Sequence, residues 1–229
     1  MPVRPTDEIV AIVASAVGAI SGSILEGLVS ITRERFEQGM TYDQYKTQMT
    51  RNRDRFDAVE AAFKPAAEDV AAFKNLPKSL NVVAIAEDWC GDVIANLPIL
   101  GRLAEASGKL NIRVFLRDQN LDLTDQYLNR GQFRSIPIIV FFDENFNEIG
   151  NFKERPDSVT ELRAKKRADI FAKNPEFGSP DAPIDQLPED VRVRLQAAQA
   201  TMRDETTPFA NAEVVKALRA IVQPVGTRG

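Results

Sequence analysis

Cys90 is the only cysteine in the 229-residue chain, and the chain contains no histidine. These two counts decide most of the chemistry available. A lone thiol cannot form an intramolecular disulfide, so nothing points to a disulfide-stapled secreted scaffold. Zinc sites built from cysteine and histidine ligands are excluded within one chain, and no metal site is expected. Ser-His-Asp and Cys-His nucleophilic catalysis are excluded as well. Chemistry must come from Cys90, carboxylates, lysine, tyrosine, hydroxyls or backbone.

The local sequence around that thiol is Glu87-Asp88-Trp89-Cys90-Gly91-Asp92. Val82–Ala86 is an apolar run suited to a buried strand. From Asp92 to Ser107, Val93, Leu97, Leu100 and Leu103 recur on one helical face. A strand, a sharp turn and a helix put Cys90 at a helix N-terminus. Unpaired N–H groups and the helix dipole there favour an anion, and the thiolate is the reactive form of cysteine. Gly91 permits close approach of backbone or substrate, and Trp89 can shield one side of the sulfur. Asp88 and Asp92 oppose the thiolate, while Arg134 is the expected offsetting cation. These three residues are the candidate modulators of the Cys90 pKa, and Asp92 is also a candidate helix cap. Two readings of Cys90 stay open: a reactive, partly exposed thiol, or a small buried hydrophobe.

The elements that must position the site follow from pattern. Asn111–Leu116 reads as a second strand, parallel to the first through a right-handed crossover. Leu121–Asn129 reads as a short helix. Pro137–Phe142 and Glu148–Phe152 are strands separated by five residues, which predicts an antiparallel hairpin. Upstream, Thr41 with Gln44 forms a candidate capping box. It opens a helical stretch carrying Tyr45, Met49, Phe56, Val59 and Phe63. Arg51, Arg53 and Arg55 within it are either a phosphate- or acid-binding patch or a solvated face paired with Asp54 and Asp57. Pro65 interrupts this stretch, and a shorter helix is expected to end near Lys74. A helix is expected from Arg155 to about Lys173, then a proline-rich loop, then two helices at about 189–203 and 211–222.

Composition sets the remaining bounds. Hydrophobic residues make up 44% and charged residues 27%, enough apolar material for a sizeable core. The net charge of -4 carries no basic excess, so no nucleic-acid partner is expected. Ile9–Leu25 is uncharged but rich in small residues. It reads as a packing helix or disordered extension, with a membrane anchor or cleaved targeting segment as alternatives.

Together these residues resemble the thioredoxin superfamily. Trp89-Cys90-Gly91 is similar to the start of the Trp-Cys-Gly-Pro-Cys motif. Pro98-Ile99-Leu100 falls at the family spacing. Ile136-Pro137, followed by Ile138-Ile139-Val140-Phe141-Phe142-Asp143, is similar to the cis-proline and strand opposite the thioredoxin site. Ile31–Met49 resembles the helical lead-in of bacterial thioredoxin-like proteins with a Trp-Cys-x-Asp site. The resemblance implies an α/β, three-layer fold with a central mixed sheet of about four strands, flanked by N- and C-terminal helical extensions. The implied organisation is an apolar extension over 1–30, a thioredoxin-like domain over 31–160 and a helical extension over 161–229. It also implies a cis Pro137 and substrate contacts from Trp89, Gly91, Ile136 and Pro137. With no intramolecular disulfide to call for an oxidising compartment, a cytoplasmic location is expected, with tethering through Ile9–Leu25 as the alternative.

The departures weaken the implied activity. Asp92 stands in place of the motif proline, and Val93 in place of the resolving cysteine. Ala84 stands where the family buries a carboxylate. The resemblance therefore leaves thiol–disulfide exchange through Cys90 alone, with no bound cofactor and an external thiol such as glutathione for release. The partners would be a protein or a low-molecular-weight thiol or disulfide. The alternative is a thioredoxin-fold binding or scaffold module with no catalysis.

Overall fold

The computed structural model describes residues 31–226, and the Ile9–Leu25 run lies outside them. A five-stranded mixed sheet organises the chain. Its strands are β1 (Met40–Thr41), β2 (Leu80–Ala86), β3 (Leu110–Leu116), β4 (Ile138–Phe142) and β5 (Glu148–Lys153), in the spatial order β1-β3-β2-β4-β5. The helices are α1 (Arg33–Glu37), α2 (Tyr42–Gln48), α3 (Arg53–Ala62), α4 (Ala67–Lys74), α5 (Gly91–Ser107), α6 (Leu121–Thr124), α7 (Asp157–Lys173) and α8 (Glu189–Gly226).

The strand–helix–strand unit forms as its pattern predicts. β2 and β3 pair in parallel from Leu80↔Leu110 to Ala86↔Leu116, and α5 makes the crossover. β4 pairs antiparallel with β2 and with β5. The Asp143 carboxylate closes the β4–β5 turn by accepting from Asn145 N (2.8 Å) and Asn147 N (2.9 Å). The sheet has one strand more than the four expected, because Met40 and Thr41 add a two-residue edge to β3. So short a segment carries no alternation that marks it as a strand.

Two helical expectations change. The stretch after Gly39 is two helices, not one. Thr41 caps α2 with the predicted box: its hydroxyl accepts from Gln44 N (3.2 Å), and Gln44 Oε1 accepts from Thr41 N (2.8 Å). The chain then breaks before α3, where Asn52 adopts φ 54°. The break is fastened from outside. Asp88 accepts from Thr50 N (2.7 Å) and Arg51 N (2.9 Å), so donors that would continue the helix are already satisfied.

At the other end, one helix replaces the two expected. α8 runs through Pro208. Proline removes a backbone donor and crowds the preceding turn. Thr206 Oγ1 donates to the Met202 carbonyl (2.9 Å) and Thr207 Oγ1 to the Arg203 carbonyl (2.9 Å), placing hydroxyl donors beside the interruption.

The principal core lies around β2, β4 and α5. Val82, Ala84, Ile85, Ile138, Ile139, Val140, Leu97 and Leu100 are fully buried. Val214, Val215, Leu218 and Val222 of α8 belong to the same cluster. The segment read as a terminal extension therefore supplies one wall of the central core. A close approach makes this possible: a Cβ built on Gly150 of β5 would stand 3.1 Å from Ile221 Cγ2. A second, smaller core joins Phe171, Phe177, Val191 and Leu195 where α7 meets α8.

Candidate functional site

Cys90 is the N-cap residue of α5, in extended backbone at φ -83° and ψ 120°. Its amide donates to the Glu87 carbonyl (3.2 Å) and its carbonyl accepts from Ile94 N (3.1 Å). The turn thus hands β2 directly to α5 and leaves the side chain at the junction. The thiol is half-buried and donates to the Ile136 carbonyl across 3.4 Å. The Ile136-Pro137 bond is cis. Sulfur, Ile136 and Pro137 therefore share one end of the sheet.

The other proposed substrate contacts lie around the sulfur in different ways. Trp89 is 41% exposed, with the Arg117 guanidinium 4.7 Å from its ring centroid. Gly91 is exposed, and a Cβ built on it would meet nothing within 4 Å. The approach over the first turn of α5 is open.

The three candidate pKa modulators separate. The Asp88 carboxylate fastens the α2–α3 break, and Asn52 Nδ2 donates to the Asp88 backbone carbonyl (2.8 Å). Arg134 is exposed and engages both carboxylate oxygens of Asp125, at 2.6 and 2.9 Å. Asp92 stays at the site, where Arg155 meets it at 2.7 Å and Arg163 at 4.0 Å.

Arg155 is the cation that sequence reading missed. Its position was nevertheless deducible from topology. β4 leaves the site at Pro137, and the hairpin brings β5 back to pair Lys153 with Ile138. Glu154 N then donates to the Pro137 carbonyl (2.7 Å), and Asn96 Nδ2 of α5 donates to the Glu154 carbonyl (2.8 Å). Those two bonds hold Arg155 over the first turn of α5.

The electrostatic balance at the sulfur is unfavourable to a thiolate. Burial pushes the Cys90 thiol up, against the lowering effect of the Val93 and Asp92 amides. The Asp92 carboxylate raises it further and Arg155 lowers it. Burial also raises Asp92 itself, against the pull of Arg155 and Arg163. No carboxylate stands in the strand beneath, because the position is Ala84, fully buried. Val93, where a resolving thiol would be, is also fully buried. Among the described residues, no cluster of acidic or sulfur ligands is arranged to hold a metal.

These opposing charges set a testable order of reactivity. Asp92→Asn removes a like charge, so its Cys90 should alkylate several-fold faster at neutral pH. Arg155→Gln removes the favourable cation and should alkylate more slowly than wild type. Iodoacetamide kinetics across pH measure both, and a reversed order would refute the assigned electrostatics.

A mixed sheet with a cysteine at a helix N-cap position opposite a cis-proline defines a thioredoxin-fold protein with a single cysteine. The Thioredoxin family profile matches residues 39–168, more than half of the chain, and the protein belongs to that family. A crystal structure of a protein of unknown function from Pseudomonas aeruginosa, PA1234, is similar in fold. It has a TM-score of 0.57 and 15% identity, over 85% of this chain and 98% of that one. An HIV epitope-scaffold has a TM-score of 0.54 and 14% identity, over 82% of this chain and 95% of that one. No match to a curated protein was found.

Proposed function

We propose that this protein carries out thiol–disulfide exchange through Cys90 alone, with an external thiol completing the cycle. The observation that carries the reading is the half-buried thiol at the α5 N-cap, facing the Ile136 carbonyl beside Pro137. The Cys90 proton is lost to solvent, and the thiolate attacks one sulfur of a disulfide RSSR′. A Cys90–SR bond forms, the S–S bond of the substrate breaks, and R′S⁻ leaves to take up a proton. A second thiol R″SH, as its thiolate, then attacks the R sulfur and releases Cys90 with RSSR″. No net oxidation occurs within the protein. The partner class is a protein disulfide or a low-molecular-weight disulfide, and a reducing compartment such as the cytoplasm fits the reaction. No helix among the described residues is long and apolar enough to cross a membrane.

The test is turnover of a glutathionylated peptide in the presence of reduced glutathione. Wild type should accelerate release of the peptide thiol, and Cys90→Ser should fall to the uncatalysed rate. Equal activity in the two proteins would reject the reading.

A second reading is a binding module that has given up redox chemistry. Burial of the Cys90 thiol, with its proton held more tightly than usual, favours it. So do the apolar Val93 and Ala84. In that case Cys90→Ser leaves partner binding and cellular function intact.

A further inference from the structure

Beside the site turn lies an open cavity of about 590 Å³, enough for a small organic molecule. Gly91 and Asp92 form its edge, so it adjoins the first turn after Cys90. Its other charged walls come from four separate elements: Arg55 of α3, Arg155 after β5, Arg163 of α7, and Arg203 with Asp204 of α8. Four guanidiniums thus face two lining carboxylates, with Glu154 behind Arg155 as a third, in a chain whose net charge is -4. The concentration of positive charge is local and runs against the overall balance.

The internal pairing leaves this charge incompletely neutralised. Asp92 is shared by two guanidiniums, Arg155 at 2.7 Å and Arg163 at 4.0 Å, and Arg155 also pairs with the adjoining Glu154 carboxylate. Arg163 Nε donates to Thr206 Oγ1 (3.4 Å), a neutral acceptor. Arg55 donates to the Asn52 amide oxygen (3.1 Å), also neutral. Arg155 Nε is buried without an acceptor. Burial makes the Arg163 charge less favourable than usual, and the neighbouring Arg155 and Arg203 add to that. Arg155 and Arg163 are half-buried on the inner wall, whereas Arg55 and Arg203 are exposed at the mouth. Like charges gathered in a concave, part-desolvated space attract an anion, and guanidiniums match the planar or tetrahedral oxygens of carboxylate and phosphate.

We propose that this four-arginine cavity is an oxyanion-binding site that takes the carboxylate or phosphate end of a small molecule beside Cys90. Combined with the exchange reading above, on which this extension rests, it selects acid-bearing disulfides over neutral or cationic ones. The sulfur of such a molecule would be presented across Gly91, where the surface is open.

Binding is tested first without the thiol. Inorganic phosphate is titrated by calorimetry or amide NMR into full-length Cys90→Ser protein. Saturable binding is expected, with shifts confined to the first turn of α5, the segments around Arg55, Arg155 and Arg163, and the middle of α8. Arg203→Gln should weaken it about tenfold, the loss of one charge-assisted hydrogen-bonding group. Arg134→Gln, at a surface arginine away from the cavity, should not. Absent binding, or equal affinity in the Arg203→Gln protein, would overturn the proposal. The source of the anion is then resolved with wild type. If the occupant is an acid-bearing disulfide, oxidised glutathione modifies Cys90 faster than cystamine, and Arg203→Gln erases the difference. If phosphate binds but the two disulfides react alike in both proteins, the selectivity claim is overturned and the site serves a free oxyanion. Because the phosphate arm uses a protein lacking Cys90, loss of the exchange reading leaves the cavity assignment standing.

Discussion

Ending the chain after Thr207 should leave a protein that does not fold. The missing half of α8 supplies Val214, Val215, Leu218 and Val222 to the central core, each at most 4% exposed. Full burial of one aliphatic side chain contributes about 1.5–3 kcal/mol, so the four together match much of a typical stability of about 5–15 kcal/mol. Their loss would also uncover β5 at Gly150 and break the Arg219–Asp69 ion pair to α4 (2.7 Å). A milder variant keeps the experiment quantitative. Leu218→Ala should remain folded but lose about 3 kcal/mol, the usual cost of such a cavity. Urea unfolding followed by circular dichroism measures both. A truncated protein with the wild-type midpoint would show that α8 is a true appendage.

Raising the pH should unfold the protein far sooner than acid–base chemistry of an exposed surface would. All three tyrosines, Tyr42, Tyr45 and Tyr127, have their phenol pKa raised, in each case chiefly by burial. Tyr42 also donates to Glu60 (2.7 Å) and Tyr127 to Glu148 (2.9 Å), so ionisation would set two negative charges together. Tyr45 OH is buried with no acceptor at all.

The sign of the effect is fixed by which state keeps its protons. Above about pH 10 the unfolded chain loses its phenol protons, while the native state retains them. Native protein then binds more protons than unfolded protein, and stability falls as pH rises. Three groups give a slope of about 4 kcal/mol per pH unit beyond that point, at about 1.36 kcal/mol each. The stabilisation is intact below the unfolded-state value and disappears as pH climbs toward the native one. Cys90 contributes in the same direction from a lower pH, because its thiol is also raised. Urea midpoints at pH 8 and 10.5 should differ sharply. Phenolate absorbance should appear together with loss of structure, and Tyr42→Phe should flatten the profile. Full phenolate absorbance in a protein that remains folded would refute the burial argument.

The parts of the fold that sequence revealed are those with short-range causes. The capping box, the β2–α5–β3 unit and the β4–β5 hairpin each follow from residues a few positions apart. The helix break at Asn52 did not, because Asp88 enforces it from 38 residues away in the chain through its bond to Thr50. Continuity of α8 was hidden by Pro208, which ordinarily signals an end. The role of α8 in the core was hidden too, since apolar residues on a helix do not say which sheet they will meet.

The site was legible to a similar depth. Cys90, Ile136 and Pro137 meet as their order along strands and turns requires. Arg134, the cation nearest Pro137 in sequence, is held by the Asp125 carboxylate, a competitor that proximity along the chain does not reveal. Following the hairpin back to the site end would have found Arg155. The four-arginine cavity draws on elements up to the last helix, so only Arg55, within the basic stretch noted in the sequence, gave a local sign of it.

The central claim is that Cys90 forms and releases a mixed disulfide. Intact-mass spectrometry of full-length protein after oxidised glutathione, and again after reduced glutathione, tests it most directly. The account predicts one glutathione adduct, located at Cys90, formed faster as pH rises and removed by the second thiol. A native protein whose mass stays unchanged by oxidised glutathione even at alkaline pH short of unfolding would contradict it.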